Sequence, residues 1–124
     1  MYDHLGLKVK NLRASVRFYE AVLAPLGHVL VSSDASSAGL GPEGAPALWL
    51  YASDAGGKGL GGMHVAFQAK TRAAVDRFHA GGLAAGGKDN GAPGPRTDYA
   101  PTYYAAFLID PDGNNVEAVC MARK

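Results

Sequence analysis

The sequence predicts an α+β fold of two paired βαβββ modules, which form a cupped mixed sheet with the helices outside. Three observations predict it: an internal repeat, strand-like alternation that gives way to helical spacing in each half, and a turn motif before the last segment. We expect a single domain over residues 1–124. Module one spans about 1–54, a linker about 55–62, and module two about 63–124.

The repeat relates residues 4–27 to residues 64–87 without a gap, and eight of the 24 aligned positions are identical. The identities include histidine, phenylalanine and arginine, which a chain rich in alanine and glycine does not match easily by chance. Asn11 and Thr71 stand at matching points and are good N-cap residues, each placed where a strand-like segment gives way to a helical one. The two halves are therefore expected to share one local structure.

Each half opens with a strand and continues with a helix. Apolar residues alternate with polar or small ones over residues 2–9 and 63–69, as expected for strands with one buried face. Helical spacing follows, with a strong apolar stripe within 12–26 and a weaker one within 74–83.

Shorter extended segments complete both modules. We expect them at residues 28–33, 37–40 and 46–52, then near 88, at 103–109 and at 115–121. The turn sequence Asp110-Pro-Asp-Gly113 closes the hairpin between the last two. Residues 55–62 contain five glycines and are interpreted as the linker, whereas residues 91–103 are interpreted as a long Pro/Gly loop.

The composition restricts the possible partners. The formal charge of +1 gives no electrostatic reason to expect nucleic acid or an anionic membrane. No apolar run approaches the ~20 residues that cross a bilayer, and no basic leader precedes the first strand. Cys120 is the one cysteine, so the chain has neither an internal disulfide nor a multi-cysteine zinc site. A cytoplasmic protein is the default expectation.

His4, His64 and Glu117 form a candidate metal site. If the apolar strand faces pack on the helices, the two histidines point into the cup at equivalent places. Glu117 lies in an otherwise apolar strand, and an unpaired buried carboxylate is costly. Two imidazoles and one carboxylate suit a divalent ion that polarises a substrate. The alternative is that the histidines are ordinary surface or hydrogen-bonding residues, whose symmetry survives from an ancestor.

Aromatic residues are expected to line the cup and bind the substrate. Trp49 and Tyr51 should share the cup side of the fourth strand, and Tyr103 and Phe107 that of the seventh. Such a wall suits a planar or apolar ligand, although core packing is the alternative. Arg96 lies in the long loop, where it either clamps a carboxylate or phosphate or is simply solvated.

Three further residues are assigned without a functional role. His28 follows the end of the first helix and His79 lies within the second, and both are expected to face solvent. Cys120 alternates onto the face opposite Glu117, so it is expected in the core.

With these motifs the sequence resembles the vicinal oxygen chelate superfamily, the glyoxalase/bleomycin resistance/dioxygenase domains, over essentially the whole chain. The segments that carry the resemblance are residues 4–9, 15–26 with Phe18-Tyr19, 64–67, and 107–117 with its Asp-Pro-Asp-Gly turn four residues before a glutamate. The resemblance implies that His4, His64 and Glu117 hold Fe, Mn, Ni, Zn or Co. It also implies a small-molecule substrate and a homodimer, in which strands of both subunits often form the site.

The resemblance also limits the reaction. Enzymes of the glyoxalase I type have a fourth ligand where this chain has Trp49, so a true glyoxalase I is not implied. Ring-cleaving dioxygenases use two histidines and a glutamate but have a tyrosine where Phe107 stands. Fosfomycin-type thiol transferases share the three ligands, whereas bleomycin-resistance proteins bind a large ligand between subunits without metal. Two interpretations follow: a metal-dependent lyase or isomerase, dioxygenase or transferase, or a metal-free binding protein.

Overall fold

The computed structural model describes residues 1–54 and 56–123, which form two α-helices, a short 3-10 helix (Ala24–Leu26) and two four-stranded sheets. The elements in chain order are β1 (Leu5–Val9), α1 (Leu12–Leu23), β2 (Val29–Ser33), β3 (Ser37–Gly41), β4 (Leu48–Ala52), β5 (His64–Gln68), α2 (Arg72–Ala84), β6 (Lys88–Pro95), β7 (Tyr104–Ile109) and β8 (Asn115–Cys120). The predicted α+β fold of two βαβββ modules is confirmed. Ala55, the first residue of the predicted linker, and Lys124 lie outside the described residues.

Each module forms its own mixed sheet, and the two sheets have the same topology. The strand orders are β1-β4-β3-β2 and β5-β8-β7-β6, with the first pair of each sheet parallel and the other pairs antiparallel. Gly6 lies opposite Trp49 in the first sheet, and Ala66 lies opposite Glu117 in the second. Trp49 and Glu117 therefore occupy equivalent positions in the two repeats.

Both helices begin where the sequence places their N-caps. The Asn11 side chain accepts a hydrogen bond from the backbone N–H of Ala14 at 3.0 Å, and that of Thr71 accepts one from Ala74 at 3.1 Å. Each bond satisfies an N–H that the first helical turn leaves without a partner. Within the described residues, neither helix is long and apolar enough to cross a membrane.

One hydrophobic core lies between the helices and the sheets. Phe18 and Val22 of α1 and Val75 and Phe78 of α2 are fully buried, together with the helix-facing residues of the strands. In β1 the burial alternates as predicted: Leu7 and Val9 are buried, whereas Gly6 and Lys8 are exposed on the opposite side. We call the sheet face directed away from the helices the cup face.

The turn after β7 joins the two modules. Asp110 is 4% exposed and accepts hydrogen bonds from the backbone N–H of Asp112 and of Asn114, from the Asn114 amide, and from the Tyr19 hydroxyl. Asp112 accepts a bond from the backbone N–H of Lys10 at 2.8 Å. Burial, followed by the charge of Asp110, raises the pKa of Tyr19 far above its ordinary value. Two carboxylates of module two thus bind the first helix of module one and the segment just before it.

Strand β6 is longer than the sequence suggests. A short segment near residue 88 is predicted, with a loop from residue 91, but the strand continues to Pro95. It is the outer strand of its sheet and carries two register irregularities, between Asp89 and Gly91 and between Gly91 and Gly94. An outer strand tolerates proline because the missing N–H can face away from the ladder.

The prediction that His28 and His79 face solvent is wrong for His79 and holds only in part for His28. His79 is buried, and its Nε2 atom lies 2.8 Å from a carboxylate oxygen of Asp89 on β6. His28 is partly buried, its Nδ1 atom has no hydrogen-bond partner among the described residues, and burial lowers its pKa. Cys120 is fully buried, as predicted.

The contact between His79 and Asp89 predicts a pH-dependent stability. The hydrogen bond from His79, together with one from the backbone N–H of Gly91, lowers the pKa of Asp89. A carboxyl group with a lowered pKa stabilises the fold above its unfolded-state pKa, and this contribution is lost as the pH falls through the folded-state pKa. We therefore expect Asp89→Asn to melt below the parent at pH 7, with the difference in Tm vanishing in acid. Equal Tm values at pH 7 would contradict the ionic contribution.

Close packing at the start of β6 predicts a second stability effect. A Cβ atom at Gly87 would collide with the Phe18 ring and lie 2.9 Å from the carbonyl oxygen of Gly82. We expect Gly87→Ala to lower the free energy of unfolding by about 2 kcal/mol, because backbone cannot move away as a flexible side chain can. Urea titration measures this, with the exposed Ala80→Ser as the control. If both variants unfold at the parental midpoint, the close approach is not a constraint.

Candidate functional site

His64 and Glu117 meet on the cup face of module two. They lie on neighbouring parallel strands, and Nε2 of His64 is 3.1 Å from Oε1 of Glu117. The Glu117 side chain is 3% exposed, whereas that of His64 is 51% exposed. Nδ1 of His64 lies 3.2 Å from the carbonyl oxygen of Asn115. The pair therefore combines a buried carboxylate with an imidazole that reaches solvent.

Tyr103 engages the other oxygen of the same carboxylate. Its hydroxyl donates a hydrogen bond to Oε2 of Glu117 from the residue just before β7. Burial, together with this bond and the charge of Glu117, raises the pKa of Tyr103 to about 12. The sequence places Tyr103 on the wall of the cup but does not predict its contact with Glu117. The sequence did contain one indication of this contact: Tyr103 and Phe107 are expected on the same sheet face as Glu117.

His4 lies apart from this pair. It precedes β1 rather than belonging to it, its side chain is 57% exposed, and Nδ1 is 2.7 Å from a carboxylate oxygen of Asp3. Across residues 1–54 and 56–123 no three His, Cys, Asp or Glu side chains come together as a metal-binding group. One chain thus brings together two of the three predicted ligands, His64 and Glu117.

The geometry of the pair fits a cation between the two groups. If Nδ1 of His64 donates to the Asn115 carbonyl, its Nε2 carries a lone pair that faces the Glu117 carboxylate. Two acceptors 3.1 Å apart repel unless a proton or a metal ion lies between them. Imidazole nitrogen with carboxylate oxygen is a donor set suited to divalent transition metals. The residues present therefore fit a metal ion, with room for further ligands on the exposed side of His64.

Trp49 and Tyr51 form an aromatic shelf on the cup face of module one. Their ring planes differ by 15°, and the ring centroids are 6.5 Å apart. Tyr51 is 42% exposed and Trp49 is partly buried. Both residues therefore lie on the side of β4 that the alternation predicts, and at least one ring is open to a ligand.

Arg96 and Phe107 pack together beside Glu117. The guanidinium carbon lies 5.4 Å from the centroid of the Phe107 ring, and Phe107 is the cross-strand neighbour of Glu117. Arg96 donates to the carbonyl oxygens of Ala92 at 2.7 Å and Gly94 at 2.9 Å. These bonds hold the guanidinium against β6, where it makes no ion pair with a carboxylate of the described chain.

The chain thus combines paired βαβββ modules with a histidine–glutamate pair on the cup face. Comparison with known protein families identifies the class of protein that has this fold. The family model described as Glyoxalase/Bleomycin resistance protein/Dioxygenase superfamily matches residues 2–118. The chain belongs to this superfamily.

Solved structures support the same fold. A glyoxalase/bleomycin resistance protein from Albidiferax ferrireducens T118 is 30% identical, with a TM-score of 0.81 and coverage of 97% of this chain and 98% of that one. A glyoxalase/bleomycin resistance protein/dioxygenase family enzyme from Burkholderia phytofirmans PsJN is 21% identical, with a TM-score of 0.74 and coverage of 97% and 98%. A domain of this type from Frankia sp. EAN1pec is 19% identical, with a TM-score of 0.70 and coverage of 97% and 96%. No curated protein matches the chain significantly.

Proposed function

We propose that this protein is a homodimeric, metal-dependent enzyme that chelates vicinal oxygens of a small substrate. The observation that carries the proposal is the facing pair of Nε2 of His64 and Oε1 of Glu117, 3.1 Å apart, whose carboxylate is almost fully buried. Fe, Mn, Ni, Zn or Co would suit these donors. The proposed location is the cytoplasm. The chain has one cysteine, which is buried, so its fold uses no internal disulfide and is compatible with a reducing compartment.

The proposed third ligand is His4 of the partner subunit. Within one chain His4 does not join His64 and Glu117, yet it is exposed and available for contact with another molecule. A two-fold dimer would bring the first module of one subunit against the second module of the other and create two equivalent sites. The dimer is thus part of the proposed site.

The residues around the pair would orient it and its ligand. Tyr103 holds one Glu117 oxygen, and the carbonyl of Asn115 fixes the His64 ring through Nδ1. Such supporting bonds set the direction of ligand lone pairs and the choice of tautomer. A bound divalent ion would supply Lewis acidity to the substrate oxygens and stabilise negative charge on them. The reaction would be of the lyase or isomerase, dioxygenase or transferase type.

Metal content is the first test. Protein purified without chelators should contain close to one transition-metal ion per chain by elemental analysis, and its Tm should fall when the ion is removed. A protein that retains none of the five metals, with a Tm unchanged by their addition, contradicts the enzyme proposal.

Subunit mixing tests whether the site is shared. His4→Ala and Glu117→Gln homodimers should each lack high-affinity metal binding. Mixed and re-equilibrated, half of the dimers combine the two chains, and each carries one intact site, which restores about a quarter of the parental capacity. A site built within one chain would gain nothing from mixing, so an absence of recovery contradicts the shared site.

The chemistry is separated by two assays on metal-loaded protein. Oxygen uptake with catechols reports ring-cleaving dioxygenase activity, and a hemithioacetal of glutathione and methylglyoxal reports glyoxalase activity. We expect the glyoxalase assay to be negative because Trp49 stands at the position equivalent to Glu117, where the fourth ligand would be.

The second candidate function is a metal-free small-molecule binding protein of the bleomycin-resistance type. Trp49 favours this function because, at the position where a fourth metal ligand would stand, its ring instead forms an aromatic surface with Tyr51. In that case His64→Ala should bind small ligands as the parent does and neither protein should retain metal. Loss of metal by the His64→Ala variant alone would instead support the enzyme.

A further inference from the structure

The rings of the aromatic shelf, Trp49 and Tyr51, lie against glycines on the strands next to β4. Gly39 is the β3 neighbour of Trp49, and a Cβ atom there would be 2.9 Å from the indole ring. A Cβ atom at Gly6 on β1 would be 3.0 Å from Cε2 of Tyr51. Side chains on a sheet normally stand away from its surface. Here two rings lean in opposite directions onto bare backbone and present nearly parallel faces.

The shelf differs from the aromatic packing of the core. Phe18 and Tyr19 are fully buried and meet edge to face, with an interplanar angle of 89°. In the shelf the planes differ by only 15°, and Tyr51 remains 42% exposed. Among the described residues the indole N–H of Trp49 has no hydrogen-bond acceptor. Nearly parallel rings, of which that of Tyr51 is exposed, suit stacking on a planar ligand, which core packing does not require.

A cavity of about 510 Å³ begins beside the shelf. Gly6, on which the Tyr51 ring rests, also lines the cavity, which continues to Lys8, Asp54 and Lys58. Lys8 is the β1 neighbour of Tyr51. We call this space the lysine cavity. Two lysines and one aspartate line it, and neither lysine makes an ion pair within the described residues, so the lining carries a net positive charge.

We propose that the shelf and the lysine cavity together bind a planar aromatic anion: a fused or extended aromatic ring carrying a carboxylate, sulfonate or phosphate group. The ring stacks on Trp49 and Tyr51, and the anionic group enters the cavity toward Lys8. The assignment of this ligand as the substrate class rests on the proposed function. The binding itself does not, because none of the proposed metal ligands belongs to the shelf or lines the cavity.

Calorimetry on the full chain in EDTA tests the proposal without metal. The probe is 2-naphthoate, compared with its neutral amide and with the non-planar cyclohexanecarboxylate. We expect 2-naphthoate to bind at least about 10-fold more tightly than either. Trp49 is the only tryptophan, so quenching of its emission locates the bound ring on the shelf. Equal binding of the amide or of the saturated acid overturns the proposal.

Variants separate the contributions of the ring and the charge. Tyr51→Ala should weaken 2-naphthoate binding about 10-fold, and Lys8→Gln about 5-fold, with the amide unaffected by the second change. The exposed Tyr2→Ala and Lys88→Gln are matched controls and should bind as the parent does. Parental affinity in Tyr51→Ala or Lys8→Gln contradicts the assigned site.

Gly6→Ala distinguishes a shaped shelf from a merely apolar surface. The added methyl meets only the Tyr51 ring and should lift it out of plane, so planar binding weakens although apolar area increases. If Gly6→Ala binds 2-naphthoate as tightly as the parent or more tightly, the stacking geometry is wrong. An unchanged Tm verifies that the variant is folded. These binding experiments contain no metal, so a negative result does not contradict the proposed metal site. Likewise, a protein that retains no metal does not contradict the binding of the aromatic anion.

Discussion

Asp110→Ala is expected to lower the free energy of unfolding by about 3–4 kcal/mol. The carboxylate is 4% exposed and accepts four hydrogen bonds, including one from Tyr19 in the other module. Its removal leaves the Tyr19 hydroxyl and the Asn114 amide buried without this acceptor. Buried donors that lose their partner retain the full cost of desolvation.

Two companion variants make the measurement specific. Tyr19→Phe removes one of the four donors and leaves a ring of the same shape, so we expect a loss of about 1–2 kcal/mol. Asp98→Ala removes an exposed carboxylate and should change stability by less than about 0.5 kcal/mol. Urea unfolding at pH 7 measures all three. If Asp110→Ala were no less stable than Asp98→Ala, the turn would not hold the modules together.

Glu117→Gln is expected to weaken binding of a divalent transition metal by about 100-fold or more. The substitution keeps the volume of a side chain that is 3% exposed but removes the charge facing Nε2 of His64. Tyr103→Phe removes only the hydroxyl that orients the carboxylate, so its effect should be smaller, about 10-fold. The larger effect is expected for Glu117→Gln because Glu117 is a proposed metal ligand, whereas Tyr103 only positions its carboxylate.

Competition with a chromogenic chelator measures these affinities. Glu43→Gln, at an exposed glutamate, is the matched control and should bind metal as the parent does. Parental affinity in Glu117→Gln would locate any bound ion elsewhere. An effect of Tyr103→Phe on Tm alone, with no change in metal affinity, would reduce Tyr103 to a structural role.

Much of the fold could be predicted because its signals are local. Asn11 and Thr71 cap the helices through side chains three residues from the N–H groups they satisfy. The strand faces follow from simple alternation, as the exposure of Lys8 and the burial of Val9 illustrate. The prediction of a loop from residue 91 was wrong because proline and glycine normally indicate a loop. Only the sheet order shows that residues 88–95 form an edge strand. Their strand conformation depends on β7, far along the chain.

The candidate site could be predicted in part. His64 and Glu117 share a face, and the parallel register of β5 with β8 brings them together. The bond from Tyr103 could not be predicted, since it depends on how the chain enters β7. His79 was misassigned for a related reason: its partner Asp89 lies on another element, and the weak apolar stripe of α2 does not mark the buried face.

The bonds between the last turn and the first helix have a consequence for the origin of the chain. A lone second repeat with this turn would leave the carboxylate of Asp110 without the Tyr19 hydroxyl and would expose the apolar surface that the other half covers. Such a one-repeat ancestor would regain these contacts by presenting its turn to the helix of a second copy. Gene fusion would then have made an existing association permanent, and each half would have become free to diverge in chemistry while remaining bound to the other.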